Sequence, residues 1–499
     1  MLPSIPRLQD YDVSLQNGFL PSDYPLDVLP DPYYRPWENV IKNLQALILS
    51  KRLRGVVERL PILSTHLLLS EAEWRRAYLV LAFMSHAYIW GGNTPADRVP
   101  PSISVPFRST CAHLELPTVA TYAGVVLWNY KPIFDLEPID SLANLATLTT
   151  FTGSLDESWF YLVSVAIEAR GAPLIPLMLH AIQAARNNDS HTVTECLRGF
   201  AERLDELGAL LIRMHESCNP TVFYERIRPF LAGSKNMADA GLPNGVMFDD
   251  GTGEENQHYV QYAGGSNAQS SIIQFFDIVL GIEHRPTGSS GNTAPTSDPT
   301  SPQPQAPPAP SHNFILDMRR YMPGPHAHFL AHVERVANIR TFVERRRSDR
   351  ALSTAYDACL AMLRAFRDKH IQIVSRYIIL KSRDSRSHPR PATGGVVRNL
   401  AHTTTGAAAA AGPDKEKKNL RGTGGTALLP FLKQARDETG EPAIDAWARR
   451  LLSNGTAASE AQRGVRLGKL GEHASGEVEI VGLAGVWSVD DSDGGICHW

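Results

Sequence analysis

Apolar residues along this chain recur mostly at three-to-four spacing, the period of helices with one buried face. NVIKNLQALILS shows it first, residues 52–60 repeat it, and Pro61 closes the pair. Residues 71–90, EAEWRRAYLVLAFMSHAYIW, form the longest apolar helix of the first part. Gly91 and Gly92 are read as ending it by supplying left-handed backbone. Residues 100–106 read as extended. ATYAGVVLWNY, 120–130, could be a buried strand or a buried helix by period alone, and its helix-rich setting favours the helix. SLDESWFYLVSVAIE opens with Ser and Asp caps and then turns apolar. Pro173 and Pro176 interrupt the pattern before it resumes at 177–186. Residues 189–215 place Leu197, Phe200, Leu204, Leu207 and Leu211 on one side of a long helix, ended by Pro220.

The second half reads as loop at 241–253, then GGSNAQSS at 264–271 followed by the apolar helix IIQFFDIVLGIEH. In AMLRAFRDKHIQIVSRYIIL, 361–380, Leu363, Phe366 or Arg367, His370, Ile373 or Val374, and Tyr377 keep the helical period. His370 therefore sits in the apolar stripe of a basic helix. Residues 1–38, rich in Pro, Asp and Tyr, read as an extended arm. Residues 284–312 are rich in Pro, Ser and Thr and bury too little to order themselves. A second low-complexity stretch spans 382–421. GTGGT at 422–426 then leads into ALLPFLKQARDETG, as either a mobile lid or an ordinary linker would. The prediction is an all-α protein of two helical domains. A small one covers 1–130 and a large one 131–440, with disordered insertions at about 285–312 and 383–421. A loosely ordered tail covers 441–499.

Composition changes this picture little. Of 499 residues, 43% are apolar, enough for a large core, and the formal net charge is -3. The Lys and Arg residues are scattered, so neither nucleic acid nor an anionic membrane is an expected partner. No uninterrupted apolar run reaches membrane-spanning length. Cys111, Cys196, Cys218, Cys359 and Cys497 are odd in number, widely spaced and without a CxxC pair, which suggests a reducing compartment. MLPSIPRLQDYDVSL lacks the basic and apolar regions of a secretory signal, and the expected location is cytoplasmic.

Candidate chemistry starts at His370. A neutral imidazole in an apolar stripe can hold a buried metal from one side. A core histidine bonded to a backbone carbonyl is the plainer reading of that helix alone. Ser164 lies one turn after Phe160, either bonded back to its own helix or facing a cofactor. Arg228, beside a Pro and five residues after Phe223, could reach into a cavity or form a surface ion pair. Gly264 and Gly265 allow backbone to approach something flat, and no nucleotide-loop spacing is present. His326, His328 and His332 lack the carboxylate or Cys that would complete a zinc set and read as surface histidines.

Several of these pieces together resemble the indoleamine 2,3-dioxygenase family. They are LELPTVATYAGVVLWNY at 114–130, WFYLVS at 159–164, the RPFLAG region at 228–233, GGSNAQSSIIQFFD at 264–277, LDMRRYMP at 316–323, RDKHIQIVSRYI at 367–378 and GTGGT. The likeness runs from about residue 10 to about 438, and the long insertion and tail are similar to fungal members. It implies an all-helical, two-domain protein with one haem b per chain, active as Fe(II). It also implies a monomer that uses O2, a reductant and L-tryptophan or a related indoleamine to form N-formylkynurenine, feeding kynurenine and NAD synthesis. His370 matches the proximal haem ligand. Phe160, Ser164 and Tyr122 match distal-pocket positions, and Phe223 and Arg228 match residues that hold the substrate. Gly265 and Ser266 match a loop along the haem, and Thr423 a loop closing over the amino acid. Asp277 and Arg367 match too, as an ion pair behind the haem or a plain structural bridge.

The chemistry this implies is coherent. One histidine below the iron leaves the other face open. An apolar distal side, with no strong acid or base, suits attack of oxygen on the indole ring. The Arg228 fork can pair with a carboxylate in a way that Lys could not reproduce. Ala232, Asn267 and Val125 depart from mammalian members, which have Ser, Ala and Cys there, and bear on substrate affinity. The alternatives are an O2-binding haem relative with poor tryptophan turnover and a haem-free helical scaffold.

Overall fold

Local sequence sets the helix starts. Ser70 Oγ accepts from the Glu73 N–H at 3.3 Å, and the Glu73 carboxylate accepts from the Leu69 N–H at 3.0 Å, a reciprocal cap that opens helix Glu71–Trp90. Ser154 caps Leu155–Gly171, Asp189 caps Ser190–Ile212 and Asp349 caps Arg350–Val374, each accepting from a first-turn N–H. The computed structural model describes residues 3–253, 258–286, 313–387, 423, 428–453, 479–482 and 485–488. Residues Met1–Ser453 form one compact unit and Asn454–Trp499 a second, in which Glu479–Gly482 pairs antiparallel with Gly485–Ser488. The predicted insertions lie outside the described residues, apart from their edges at 285–286 and 383–387.

The first unit is predominantly helical, in the predicted class, and its buried apolar residues fall into one large cluster and a smaller one at Val119, Ala263, Phe314, Met318 and Tyr321. Its central pair is Ser190–Ile212 against Arg350–Val374. Leu197, Phe200, Leu204 and Leu207 face Leu352, Tyr356, Cys359, Leu360 and Leu363, all buried. The helices cross closely at Gly208, where a Cβ would stand 2.7 Å from Lys369 Nζ. The run Leu155–Arg186 is apolar and long enough to cross a membrane, but 72% of its most apolar window is buried inside the protein, which accounts for its composition. Two small sheets trim the helices. Val246–Phe248 pairs parallel with Arg98–Val99 and antiparallel with Tyr259–Val260, and Lys131–Pro132 pairs with Leu145–Ala146. The predicted loop at 241–253 therefore contains a strand.

Five further readings change. Residues 100–106 are not extended, because Pro101 opens helix Pro101–His113 and Pro106 lies inside it. Proline suits the first turn, where its missing N–H is not needed. Burial of Ile103, Phe107 and Cys111 outweighs the bond that Pro106 forfeits. Gly91 is right-handed, at φ -75, and is needed for space: a Cβ would lie 2.4 Å from the Ala87 carbonyl. The helix end is closed instead by Arg54, whose guanidinium donates to the carbonyls of Tyr88, Ile89 and Thr94. Residues 120–130 are neither strand nor α-helix but hold one wide π-helical turn, Ala123–Leu127. Helix Ala446–Ser453, within the predicted tail, packs on Arg350–Val374.

The fifth concerns the N-terminal segment, which is anchored rather than free. Leu8, Val13, Phe19 and Leu20 are buried. Phe19 meets the His326 ring edge-on at 4.9 Å, and Tyr11 Oη bonds His332 Nδ1 at 2.7 Å. His332 Nε2 also bonds the Ser4 carbonyl. Of the three histidines only His328 is a surface residue, and burial drives His326 down to about 4. Replacing Phe19 by Ala should cost about 3–5 kcal/mol in urea unfolding, against under about 0.5 kcal/mol for exposed Leu15. Equal, small effects would show that the segment is not part of the core.

Candidate active site

One large cavity, with about 1910 Å³ of empty space out to its open mouth, receives every predicted site residue. Helix Leu155–Gly171 presents Phe160 and Ser164, one turn apart. The wide turns Ala123–Leu127 and Phe223–Ile227 lead from Tyr122 and into Arg228. The loop before helix Ser271–Leu280 brings Gly265 and Ser266, and Arg350–Val374 brings Arg367 and His370. Thr423 bonds the Gly265 carbonyl at 2.8 Å, and its own carbonyl accepts from the N–H groups of Gly233 and Gly264. It is docked over the seam between two loops whose glycines leave no room for side chains: a Cβ on Gly264 would stand 2.1 Å from the Leu231 carbonyl. The other residues of GTGGT lie outside the described set.

The walls are apolar. Phe160 packs on Phe223 at 4.7 Å, and Phe223 on Tyr377 at 5.7 Å. Val125, Ile273, Phe314, Phe366, Phe431 and Leu432 complete much of the rest. Arg228 is fully buried, with its guanidinium 5.2 Å from the Tyr224 ring centre. Burial lowers its pKa to about 10, opposed by Tyr224, so it stays cationic at neutral pH. Ser164 does not simply bond back to its own helix, since it approaches the Tyr122 hydroxyl. Val125 and Asn267 border the cavity as expected. Ala232 does not line it: it is buried, with its carbonyl taken by the Trp90 indole N–H at 2.9 Å.

His370 faces the cavity, and no hydrogen-bond partner meets its ring among the described residues. Burial, then the charge of Arg367, lowers its pKa to about 4. The ring is therefore neutral, with a lone pair free for a metal and no backbone carbonyl to hold it, as the core reading required. A haem fits this donor set: one imidazole, apolar walls and a glycine-containing loop.

Behind His370 a charged cluster ties three helices together. Arg367 grips Asp277 with bonds of 2.6 and 2.7 Å and also reaches Thr439. His284 bridges Asp277 at 3.1 Å and Glu438 at 2.7 Å, and Glu438 accepts further from the Arg285 N–H and Gln434. Burial pushes Asp277 upward, but Arg367 and His284 hold it below the usual carboxylate range. Burial alone would lower His284, but Asp277 and Glu438 raise it.

Sequence reasoning missed two acids. Glu438, in the short helix after GTGGT, was not singled out, and it is buried. Glu168 lies behind the distal wall, where no strong acid or base was expected. It follows Ser164 by one turn, and that spacing was the available signal. Burial raises its pKa to about 7, opposed by hydrogen bonds from Ser270 and Tyr122.

Fold and cavity define a helical protein with one neutral imidazole on an apolar cavity that a haem would fit, and the comparisons name its family. The family model described as "Indoleamine 2,3-dioxygenase" matches residues 7–442. The indoleamine 2,3-dioxygenase of Saccharomyces cerevisiae is 40% identical over 444 residues, covering 87% of this chain and 93% of that protein. The 6-hydroxytryptophan 2,3-dioxygenase of Fusarium equiseti is 37% identical, covering 87% and 96%. Human indoleamine 2,3-dioxygenase 2 is 30% identical, covering 87% and 94%. The chain belongs to the indoleamine 2,3-dioxygenase family of haem-dependent dioxygenases.

The His284 bridge carries a sign. A folded pKa above the ordinary 6.5 gives stability that is complete below about pH 6.5 and lost as pH rises through the raised value. Melting temperature should therefore fall as pH rises above about 6.5 and through the raised value, and His284→Ala should flatten that fall while lowering stability in mild acid. An unchanged pH profile in the variant would remove the bridge as a stabilising contact.

Proposed function

We propose that this dioxygenase inserts both atoms of O2 across the indole double bond of L-tryptophan to give N-formylkynurenine. The observation that carries the reading is a fully buried cationic Arg228 on the wall of the apolar cavity that His370 faces. A cavity that excludes water makes a guanidinium–carboxylate pair strong and directional. An amino acid held there by its carboxylate would leave its indole among Phe160, Phe223 and Tyr122, which offer shape and dispersion, the Tyr122 hydroxyl being taken by Glu168.

His370 would hold the iron of a haem b, one per chain, in its Fe(II) form. The haem supplies O2 binding and activation when bound. The chain's own residues supply the rest. Arg228 fixes the substrate's backbone end, the aromatic wall orients the ring, and Thr423 closes the mouth so that bulk water stays out. Positioning of this kind accounts for much of the rate in two-reactant chemistry. An external reductant would keep the iron ferrous, and we take the protein to act as a monomer in the cytoplasm. The four described cysteines, buried and unbridged, support a reducing compartment.

Val125 and Asn267 on the wall favour a second reading, a substituted indole or slow tryptophan turnover. The Fusarium relative's name, a 6-hydroxytryptophan dioxygenase, shows that such a substrate occurs among similar proteins. Product formation from tryptophan and from ring-hydroxylated tryptophan, with a reductant present, separates the two. On the first reading tryptophan has the higher kcat/KM, and the reverse order would replace it.

Arg228→Ala should raise the tryptophan KM about 30-fold or more, the cost of an unpaired buried carboxylate, with little change in the haem absorption spectrum. An unchanged KM would take Arg228 out of the substrate site. His370→Ala should purify without haem, and full retention would refute the ligand assignment.

A further inference from the structure

Glu168 is buried at 0% exposure, and the chemistry above makes no use of it. It belongs to helix Leu155–Gly171, which also carries Phe160 and Ser164. One carboxyl oxygen, Oε1, accepts from the Tyr122 hydroxyl at 3.0 Å and from the Ser270 hydroxyl at 2.7 Å. The other, Oε2, has no hydrogen-bond partner among the described residues.

Both donors come from segments that wall the cavity. Tyr122 opens the wide turn Ala123–Leu127, and its backbone N–H bonds Gln269 Oε1 at 2.9 Å. Gln269 Nε2 donates in turn to the Gly264 carbonyl at 2.9 Å. Ser270 caps helix Ser271–Leu280, the helix that carries Asp277. A single carboxyl group thus gathers the Tyr122 turn, the 264–270 loop and the helix bearing Ser164.

The cavity wall explains why this matters. Tyr122, Ser164 and Ser270 all border the cavity. Three hydroxyls turned inward would make that face polar and would offer donors to any ligand bound there. Glu168 lies outside the lining, so a hydroxyl bonded to it points away from the cavity.

We propose that Glu168 is a positioning residue of the active site: it draws the Tyr122 and Ser270 hydroxyls out of the cavity and clamps the 264–270 loop to the Leu155–Gly171 helix, acting as the neutral acid. This deepens the dioxygenase reading and rests on it for the purpose of the apolar face. Burial without a facing cation favours the neutral form, against the two hydroxyl bonds, which favour the charge. A proton on Oε2, which has no partner among the described residues, leaves Oε1 free to accept both hydroxyls, whereas a buried charge there would meet no cation among them. The groups facing Glu168 are Tyr122 from the turn, Ser270 from the loop, and Ser164 beside Tyr122 on its own helix. The nearby Arg170 of that helix is held by Asp140 and Glu206. Burial raises the Glu168 carboxyl to about 7, which accords with a group protonated in mild acid and titrating around neutrality.

Two infrared measurements on the whole protein test this. The first reads the carbonyl stretch of a protonated carboxylic acid between about pH 5.5 and 8.5, where ordinary carboxylates are already ionised. The wild type should show a band that titrates away in this range, and Glu168→Gln should lack it. A band unchanged in Glu168→Gln, or none in the wild type, overturns the neutral acid. The second reads the stretch of carbon monoxide bound to the ferrous holoprotein. Wild type and Glu168→Gln should share one band, because the amide oxygen still accepts both hydroxyls. Glu168→Asp, too short to reach both, and Glu168→Ala should add a band at lower frequency from a hydroxyl donating to the ligand. Tyr122→Phe or Ser270→Ala in the Glu168→Ala background should remove it. A single unshifted band in both Glu168→Asp and Glu168→Ala overturns the positioning role. A wild type that binds no carbon monoxide fails the haem reading, and the acid band, which needs no haem, still decides for or against Glu168.

Discussion

Burial of polar groups around a single cavity, each with its charge state set by the loss of water, is the constraint on which this structure depends. Removed from solvent, His370 is driven to neutrality, Glu168 is raised toward it, and Arg228 keeps its charge despite a lowered pKa. The same low-dielectric setting acts in opposite directions on an acid and on bases. The outcome is a cavity with a neutral nitrogen ligand, the buried cation of Arg228 and a largely apolar surface between them.

The fold exists to hold those groups apart and still. The central pair of helices carries His370 and Arg367, and the cluster of Asp277, His284 and Glu438 ties that pair to the C-terminal helix Leu428–Thr439. That helix also contributes Phe431 and Leu432 to the cavity wall. Ion pairs this buried gain specificity more surely than stability, since desolvation offsets much of their attraction. Their value here lies in fixing where a helix sits relative to the imidazole. Thr423 and the paired glycines close the other side by backbone contact, a joint that side chains would wedge open.

Much of this was legible from sequence, and the misses share a physical form. Helices with a Ser or Asp cap and a steady apolar period, such as 155–171 and 190–212, were plain from local rules. Helix Pro101–His113 was not, because tertiary burial of Ile103 and Phe107 overrode the breaker signal of Pro106. The N-terminal segment read as an arm since its Pro and Asp residues masked buried apolar residues, among them Phe19, whose ring partners His326 and Phe329 lie about three hundred residues away. His326 and His332 looked like surface residues for the same reason. At the site, every candidate haem or substrate residue that the likeness to a family brought out lines the cavity. It did not bring out Glu168, Glu438 or the His284 bridge, which act from behind the wall, where only coordinates reveal which polar atoms meet.

The most direct test of the central claim is the low-frequency resonance Raman spectrum of the ferrous, ligand-free holoprotein, recorded with and without nitrogen-15 histidine. The account predicts an iron–imidazole stretch that shifts on labelling and disappears in His370→Gly. An isotope-insensitive spectrum, or a labelled stretch that survives in His370→Gly, would contradict it.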